Sequence, residues 1–374
     1  MKVYWFMIFW VVAWSFLAYM YSKRVYVDVN RYENRITIAW AFIIFSVLIL
    51  FIGLRSGVAD TSTYIDIFNS YPTDHLGIGE SLKSGDRDQG FKLISIFIKV
   101  FISEDFHVWL FILATISSIA TMIPLAKYSC DFRISIFMFM TSCSFTWLLN
   151  GMRQYLVVSI LFGCTILILK NKTILYILIV MLLSTLHGTA LIVIPIYFIV
   201  RGKAWNKGMY LFLIFIVLAI IFKNQFVEVM NFILEDTSYG EGISVLAQTD
   251  DGANIIRIIV EAIPTIIAFI YRKKIKDIAT PIINLSINMS VVATGFFIIS
   301  KIAKSGIMLG RLPIYFSLYN LILLPWLIHN VFNKKEKRIV LYFFTVFYLI
   351  FFYYQMNIAW GGLSYESDIL NLFV

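Results

Sequence analysis

The stretch "NGMRQYLVVSILFGCTILILK" (150–170) decides how this chain is read. From Tyr155 to Leu169 it carries no charge. Runs of about 18 apolar residues are long enough to cross a bilayer as a helix. Yet the run opens on Arg153 and Gln154, and charge at a membrane edge is costly unless something there uses it.

Working outward, similar runs recur at 3–21, 36–53, 106–126, 134–149, 153–169, 173–186, 189–200, 209–222, 254–271, 281–300, 312–332 and 338–358. The composition agrees: 60% of the residues are hydrophobic and 14% charged, where a soluble domain carries about 25% charged residues. The chain therefore reads as an all-α polytopic membrane protein of about twelve transmembrane helices, with 1–374 forming a single integral membrane domain. The first run lacks a small-residue cleavage site and reads as a retained span. The pair 173–186 and 189–200, meeting at His187-Gly188, is either two short spans or one broken, re-entrant piece.

Charge tests the topology. If the loops at 22–35, 127–133, 170–172, 201–207, 272–277 and 333–338 share one side, they hold 19 of the chain's 31 Lys and Arg. The positive-inside rule makes that side cytoplasmic and both termini external. It also favours two separate spans around His187. The net charge of +9 then reflects the cytoplasmic loops, and no basic face remains for nucleic acid. Cys130, Cys143 and Cys164 lack metal-ligand spacing and read as packing residues. There is no P-loop, dinucleotide-binding glycine fingerprint or H-E-x-x-H, and no nucleophile elbow. Chemistry driven by cytosolic nucleotides is disfavoured.

Two outer loops are long. Residues 54–105 contain amphipathic pieces, "TYIDIFNSY" and "GFKLISIFIKVFI", the second reading as an interfacial or re-entrant helix. Residues 223–253 are acidic and read as an outer lid. The outer boundary also gathers cations: Arg55, Arg153, His187, Arg257, Lys301, Lys304 and Arg311. The fifth, seventh and eleventh spans would begin outside, so Arg153, His187 and Arg311 would sit at helix N-termini. A cation there costs roughly 0.3–1 kcal/mol, but such ends also attract anions. An anionic ligand among them would make sense of the arrangement. Lys83, Lys92 and Lys99 read as lipid contacts, and Arg87 stays unassigned. Asp60 reads either as the N-cap of a helix from Thr61, with Tyr64 one turn on, or as a base or partner for Arg55. Glu261, inside the ninth span, is a functional candidate, and Arg257 four residues earlier offers it an internal ion pair.

These motifs together resemble the EpsG/Wzy-type polysaccharide polymerases. "LRSGVADTSTYIDIF" (54–68) resembles their R-x-G-x-D-x-x-x-Y-x-x-x-F region. "DQGFKLISIFI" (88–98) looks like their acidic-Gly-aromatic segment. "GMRQYLVVSIL" (151–161), "LSTLHGTALIVIPIYFI" (183–199) and "GRLPIYFSLYNLILLP" (310–325) are similar to their R-Q-x-L, H-x-S/T-A-L and late Arg-to-Tyr motifs. "SYESDILNLF" loosely resembles their closing segment.

The resemblance implies a GT-C-like glycosyltransferase of the bacterial cytoplasmic membrane, acting on its outer, periplasmic face. It would polymerise undecaprenyl-diphosphate-linked oligosaccharide repeats, with no metal and no cofactor. Membrane lipids surround it, and a chain-length regulator is a candidate partner. His187 and Asp60 would be the candidate bases. Arg153 and Arg311, then Arg55, Lys301 and Lys304, would hold diphosphate. Gln154, Tyr64, Tyr315, Arg257 and Glu261 would support them. An O-antigen ligase would share the donor but transfer the chain to lipid A core. A transporter or flippase would instead spread its cations through the membrane depth.

Overall fold

The computed structural model describes residues 1–28, 31–73, 88–226, 228, 253–304, 309–361 and 363–370. Arg87, Lys83 and almost all of the expected acidic lid lie outside these residues. The chain divides into two compact units, Met1–Ile194 with Lys334–Val374, and Pro195–Asn333.

The first unit contains α1 (Lys2–Met20), a hairpin of β1 (Lys23–Asp28) and β2 (Arg31–Arg35), α2 (Ile38–Gly53), α3 (Thr61–Ser70), α4 (Gln89–Phe101), α5 (Phe106–Tyr128), α6 (Phe132–Thr141), α7 (Met152–Gly163), α8 (Thr165–Leu169) and α9 (Thr173–Ser184). The C-terminal helix Lys334–Tyr354 completes it. Its centre is the pairing of α2 with α5. Gly53 permits that approach, because a Cβ there would lie 2.8 Å from the Phe111 backbone. Helix α1 packs on α2 and α6, and Trp10 donates from its indole to the Ile43 carbonyl at 3.2 Å.

The hairpin corrects the all-α expectation. Within the stretch read as a plain loop, Lys23–Asp28 and Arg31–Arg35 pair as a two-stranded antiparallel sheet. Val25, Tyr26 and Tyr32 suit a pleated strand, and Arg35 anchors it by donating to the Ser129 carbonyl at 2.8 Å.

The second unit contains the last residues of α10 (Val193–Val200), α11 (Lys207–Ile221), α12 (Ile255–Ile270), α13 (Arg272–Ile278), α14 (Pro281–Ile302), α15 (Ile314–Ser317) and α16 (Asn320–Asn330). Helix α14 is its axis, packed by α11, α12 and α16. The loop 201–207 is closed by side-chain amides: Asn288 donates to the Val200 carbonyl at 2.9 Å, and Asn284 accepts from the Ala204 N–H at 2.9 Å.

Each of the twelve expected spans falls on an apolar helix or a broken helical stretch. Among the described residues, four helices are long and apolar enough to cross a membrane: Lys2–Met20, Phe106–Tyr128, Pro281–Ile302 and Lys334–Ala359. A fifth forms if Leu309–Ser317 and Asn320–Asn330, bent by 51°, are one span. The shortening has local causes. Cys143 and Gly151 take left-handed conformations (φ 62° and 75°) on either side of a short 3-10 stretch, Ser144–Leu148. His187 is followed by another 3-10 stretch, Gly188–Ile192, before α10.

Candidate active site

The site in the first unit is assembled by four segments that sequence separates widely. Helix α3 begins at Thr61 with Asp60 at its N-cap, as the spacing predicts, but Asp60 makes no side-chain capping bond. The α3 C-terminus is capped from another element. Lys99, on α4, donates from Nζ to the carbonyls of Phe68, Asn69 and Tyr71 at 2.9, 2.8 and 2.7 Å. Expected at the lipid surface, Lys99 is only 6% exposed. Burial depresses the ammonium pKa below its ordinary value, against an opposing pull from Glu104.

The face of α4 that carries Phe91 and Ser95 packs on Trp109 of α5. Trp109 stacks on Phe68 with ring centroids 4.7 Å apart and donates to Ser95 Oγ at 3.1 Å. Close to its N-terminus Gly90 donates from its backbone to the Thr185 carbonyl at 2.9 Å. A Cβ at Gly90 would lie 2.3 Å from Thr185 Oγ1, so only glycine allows this approach.

The residue at the N-cap of α4 is Asp88, with φ at 54°. Asp is among the few non-glycine residues that tolerate this region. Its carboxylate does not cap its own helix. It reaches to α7 and to the turn after α9 instead. Oδ2 lies 3.2 Å from Arg153 Nη1 and 3.4 Å from His187 Nδ1, while Oδ1 accepts from the Gly188 N–H at 3.2 Å. Burial alone would raise this carboxyl. The nearby His187 ring, then Arg153 and the Gly188 N–H, hold it below the usual carboxylate value instead.

Arg153 sits in the first turn of α7, as read from the sequence. Its guanidinium lies over Tyr64 and Phe91, 5.6 and 5.9 Å from the ring centroids. Its Nε is buried and has no hydrogen-bond partner among the described residues. Gln154 donates to Thr189 Oγ1 at 3.4 Å, tying α7 to the segment after His187. The structure thus brings together Arg153, Gln154, His187 and Tyr64, and adds Asp88. Asp88 was not singled out from the sequence, although "DQGF" carried the signal as an acidic residue before a glycine and an amphipathic helix.

Arg55 is placed differently. It is 1% exposed. Its Nε donates to Thr61 Oγ1 at 2.8 Å, Nη1 bonds the Ile52 carbonyl, and Nη2 lies 3.5 Å from Met152 Sδ. A small cavity beside it is lined by Leu110, Ser117, Leu148 and Met152. The closing segment straps the same loop. Glu366 pairs with Gly57 as an antiparallel bridge, Tyr365 Oη donates to the Phe51 carbonyl at 2.7 Å, and Ser367 Oγ bonds the Leu54 carbonyl.

The second unit holds the remaining candidates. Glu261 is 4% exposed, and its Oε2 accepts from Asn320 Nδ2 at 3.1 Å. That partner lies on α16, where i−4 spacing had pointed to Arg257 alone. The Arg257 guanidinium lies 5.6 Å from the Phe297 ring centroid. Lys301 lies in the last turn of α14, and Lys304 follows with φ at 51°. Arg311 ends a three-residue 3-10 turn, Leu309–Arg311, and Tyr315 lies buried in α15. Arg153 opens a helix of 12 residues, His187 is the N-cap of the 3-10 turn that runs on into α10 as one apolar helix, Gly188–Val200, and Arg311 lies in the 3-10 turn that opens the stretch Leu309–Ser317.

The family model described as the EpsG family matches residues 38–365, a span that includes Tyr64, Asp88, Arg153, Gln154 and His187. No curated protein and no solved structure matches the chain.

Proposed function

The chain belongs to the EpsG family, and from that premise we propose that it polymerises undecaprenyl-diphosphate-linked oligosaccharide repeats on the outer face of the bacterial cytoplasmic membrane. Family membership and the apolar helices mark a membrane protein of polysaccharide-polymerase type. The finer reading comprises a GT-C-like fold of twelve passes, external termini, a polyprenyl-diphosphate donor and chemistry without a metal.

One observation carries the reading at the site. Arg153 shares the Asp88 carboxylate with His187, in a cluster with Tyr64 and Gln154, and its side chain stays 37% exposed. That exposure leaves part of the guanidinium open to a ligand beside the paired Nη1. Arginine matches phosphate with paired, charge-assisted bonds.

In the proposed reaction a hydroxyl of the acceptor repeat attacks the anomeric carbon of the donor chain. The bond from that carbon to the diphosphate oxygen breaks, and the lipid diphosphate leaves with the electron pair. His187 takes the hydroxyl proton, and its place in the Arg153 cluster favours it over Asp60. Arg153 stabilises the charge that builds on the leaving oxygen. Arg311, Lys301 and Lys304 are proposed diphosphate ligands on the family pattern, with Tyr315, Arg257 and Glu261 in support. Arg55 keeps that proposal too, although its contacts favour holding the start of α3.

The test is polymer formation by purified protein from lipid-linked repeats. Arg153→Ala should lower the rate on the order of 10²-fold or more, as loss of a preorganised donor does, and Arg153→Lys should recover only part. Wild-type ladders from both variants would refute the diphosphate role. Transfer of chains to lipid A core, with no repeat-to-repeat polymer, would identify a ligase instead.

A further inference from the structure

We infer that Asp88 is the positioning residue of His187, holding the imidazole so that Nε2 faces the acceptor hydroxyl. The inference rests on the proposed role of His187 as base and assigns a residue that role leaves open.

The geometry holds both the ring and the chain that carries it. Asp88 Oδ2 faces His187 Nδ1 at 3.4 Å, within ion-pair range but short of a hydrogen bond, and Oδ1 accepts from the next peptide, Gly188 N–H, at 3.2 Å. A carboxylate facing one imidazole nitrogen keeps the proton there and leaves the other as the acceptor. Asp88 is itself well fixed. It stands at the N-cap position of α4 in a left-handed conformation, and two residues on Gly90 is bonded to the Thr185 carbonyl at 2.9 Å. The carboxyl is held below its usual range, so it is ionised wherever the polymerase would work.

Two other groups bear on the carboxylate or its surroundings. From α7, Arg153 Nη1 shares Oδ2 at 3.2 Å, and from α3 Tyr64 lies under the Arg153 guanidinium. Arg153 leaves His187 its own contact, because the carboxylate has lone pairs for both.

In the step this supports, the acceptor O–H proton moves to His187 Nε2 as the new C–O bond forms and the bond from the anomeric carbon to the lipid diphosphate breaks, the diphosphate leaving with the electron pair. Nδ1–H stays with Asp88, which remains a carboxylate throughout. The proton on Nε2 then passes to solvent, and the base is restored.

A purely structural Asp88, or one that serves only Arg153, makes different predictions. We expect Asp88→Asn to lower kcat on the order of 10²-fold, the scale of general-base catalysis, with KM changed by less than about threefold. Asp88→Glu should recover part of the rate. In a His187→Ala background, Asp88→Asn should cost less than about threefold further, because residues acting as a unit are not additive. ¹⁵N spectra of histidine-labelled protein should show the Nδ1–H form of His187 decline in Asp88→Asn. A wild-type kcat in Asp88→Asn, full additivity in the double variant, or an unchanged His187 signal would each overturn the inference. If His187→Ala itself matches wild type, the base reading falls, and the inference falls with it. If His187→Ala is impaired and Asp88→Asn is not, only the inference falls.

Discussion

Lys99→Met tests whether α4 organises the site through α3. Methionine keeps the unbranched stem that packs near Phe68 but removes three donors. The carbonyls of Phe68, Asn69 and Tyr71 then lose the ammonium that meets them at 2.7–2.9 Å. They lie at the C-terminal end of α3, where a helix leaves carbonyls open, and of the three the Phe68 carbonyl also accepts from the Tyr71 N–H at 3.2 Å. Hydrogen bonds to a charged group contribute about 1.5–3 kcal/mol each. Three bonds to one ammonium are not additive, and methionine avoids the cost of burying that charge. A net loss of about 2–4 kcal/mol for docking of α3 is therefore expected. At 1.4 kcal/mol per decade, that makes local opening roughly 30- to 700-fold more frequent. Amide hydrogen exchange over 61–71 reads this directly. Exchange there should accelerate while α2 and α5 stay protected. Polymer output should fall too, because α3 carries Tyr64, which lies under Arg153. Protection of 61–71 within about threefold of wild type would refute the reasoning.

Two more predictions follow from α4. Gly90→Ala places a Cβ 2.3 Å from Thr185 Oγ1 and 3.1 Å from the Thr185 carbonyl carbon. It should cost about 1–3 kcal/mol as overpacking, read as a lowered thermal midpoint, and adding Thr185→Ala should recover only part because the backbone contact remains. The depressed Asp88 carboxyl sets a pH dependence. Its stabilising contribution is fully present above the ordinary carboxyl value of about 3.9 and is lost as pH falls through the lower folded value. Exchange at the Gly188 amide, which donates to Asp88, should stay protected until pH drops below that ordinary value. Loss of protection at higher pH would show that Asp88 is not the group responsible.

The apolar runs were legible because length and charge exclusion mark them without reference to partners. Their breaks were not. In "MTSCSFTWLLNG" (140–151) the Asn-Gly pair marks a turn before α7, but nothing announces that Cys143 turns left-handed just after α6 ends at Thr141. The hairpin at 22–35 was hidden because four cations drew attention to sidedness rather than to the β-forming valines and tyrosines between them. At the site, Arg153, Gln154, His187 and Tyr64 stood out as polar groups in apolar surroundings, and the fold gathers them. Asp88 did not, because its place depends on contacts about 65 and 100 residues away. Lys99 and Arg55 show the same limit. A cation at the end of an apolar stretch looks alike whether it meets a headgroup or satisfies carbonyls inside the fold. Only the helix termini around it decide.

The Asp88 contact also changes how the site can work on an anion. With Arg153 paired to a carboxylate, the Arg153–Asp88 pair is close to charge balance. It would not grip a ground-state diphosphate strongly. In the proposed step His187 gains a proton as the acceptor hydroxyl attacks, so positive charge appears beside Arg153. At that moment negative charge builds on the leaving diphosphate oxygen. The two charges arise together, and interactions stronger in the transition state than in the ground state are the ones that accelerate chemistry. A balanced resting cluster therefore suits catalysis better than an unopposed set of cations, which would hold substrate and product alike. On this reasoning Asp88 limits tight ground-state binding while its hold on His187 supplies the base, and replacing it would slow the chemical step more than it changed substrate affinity.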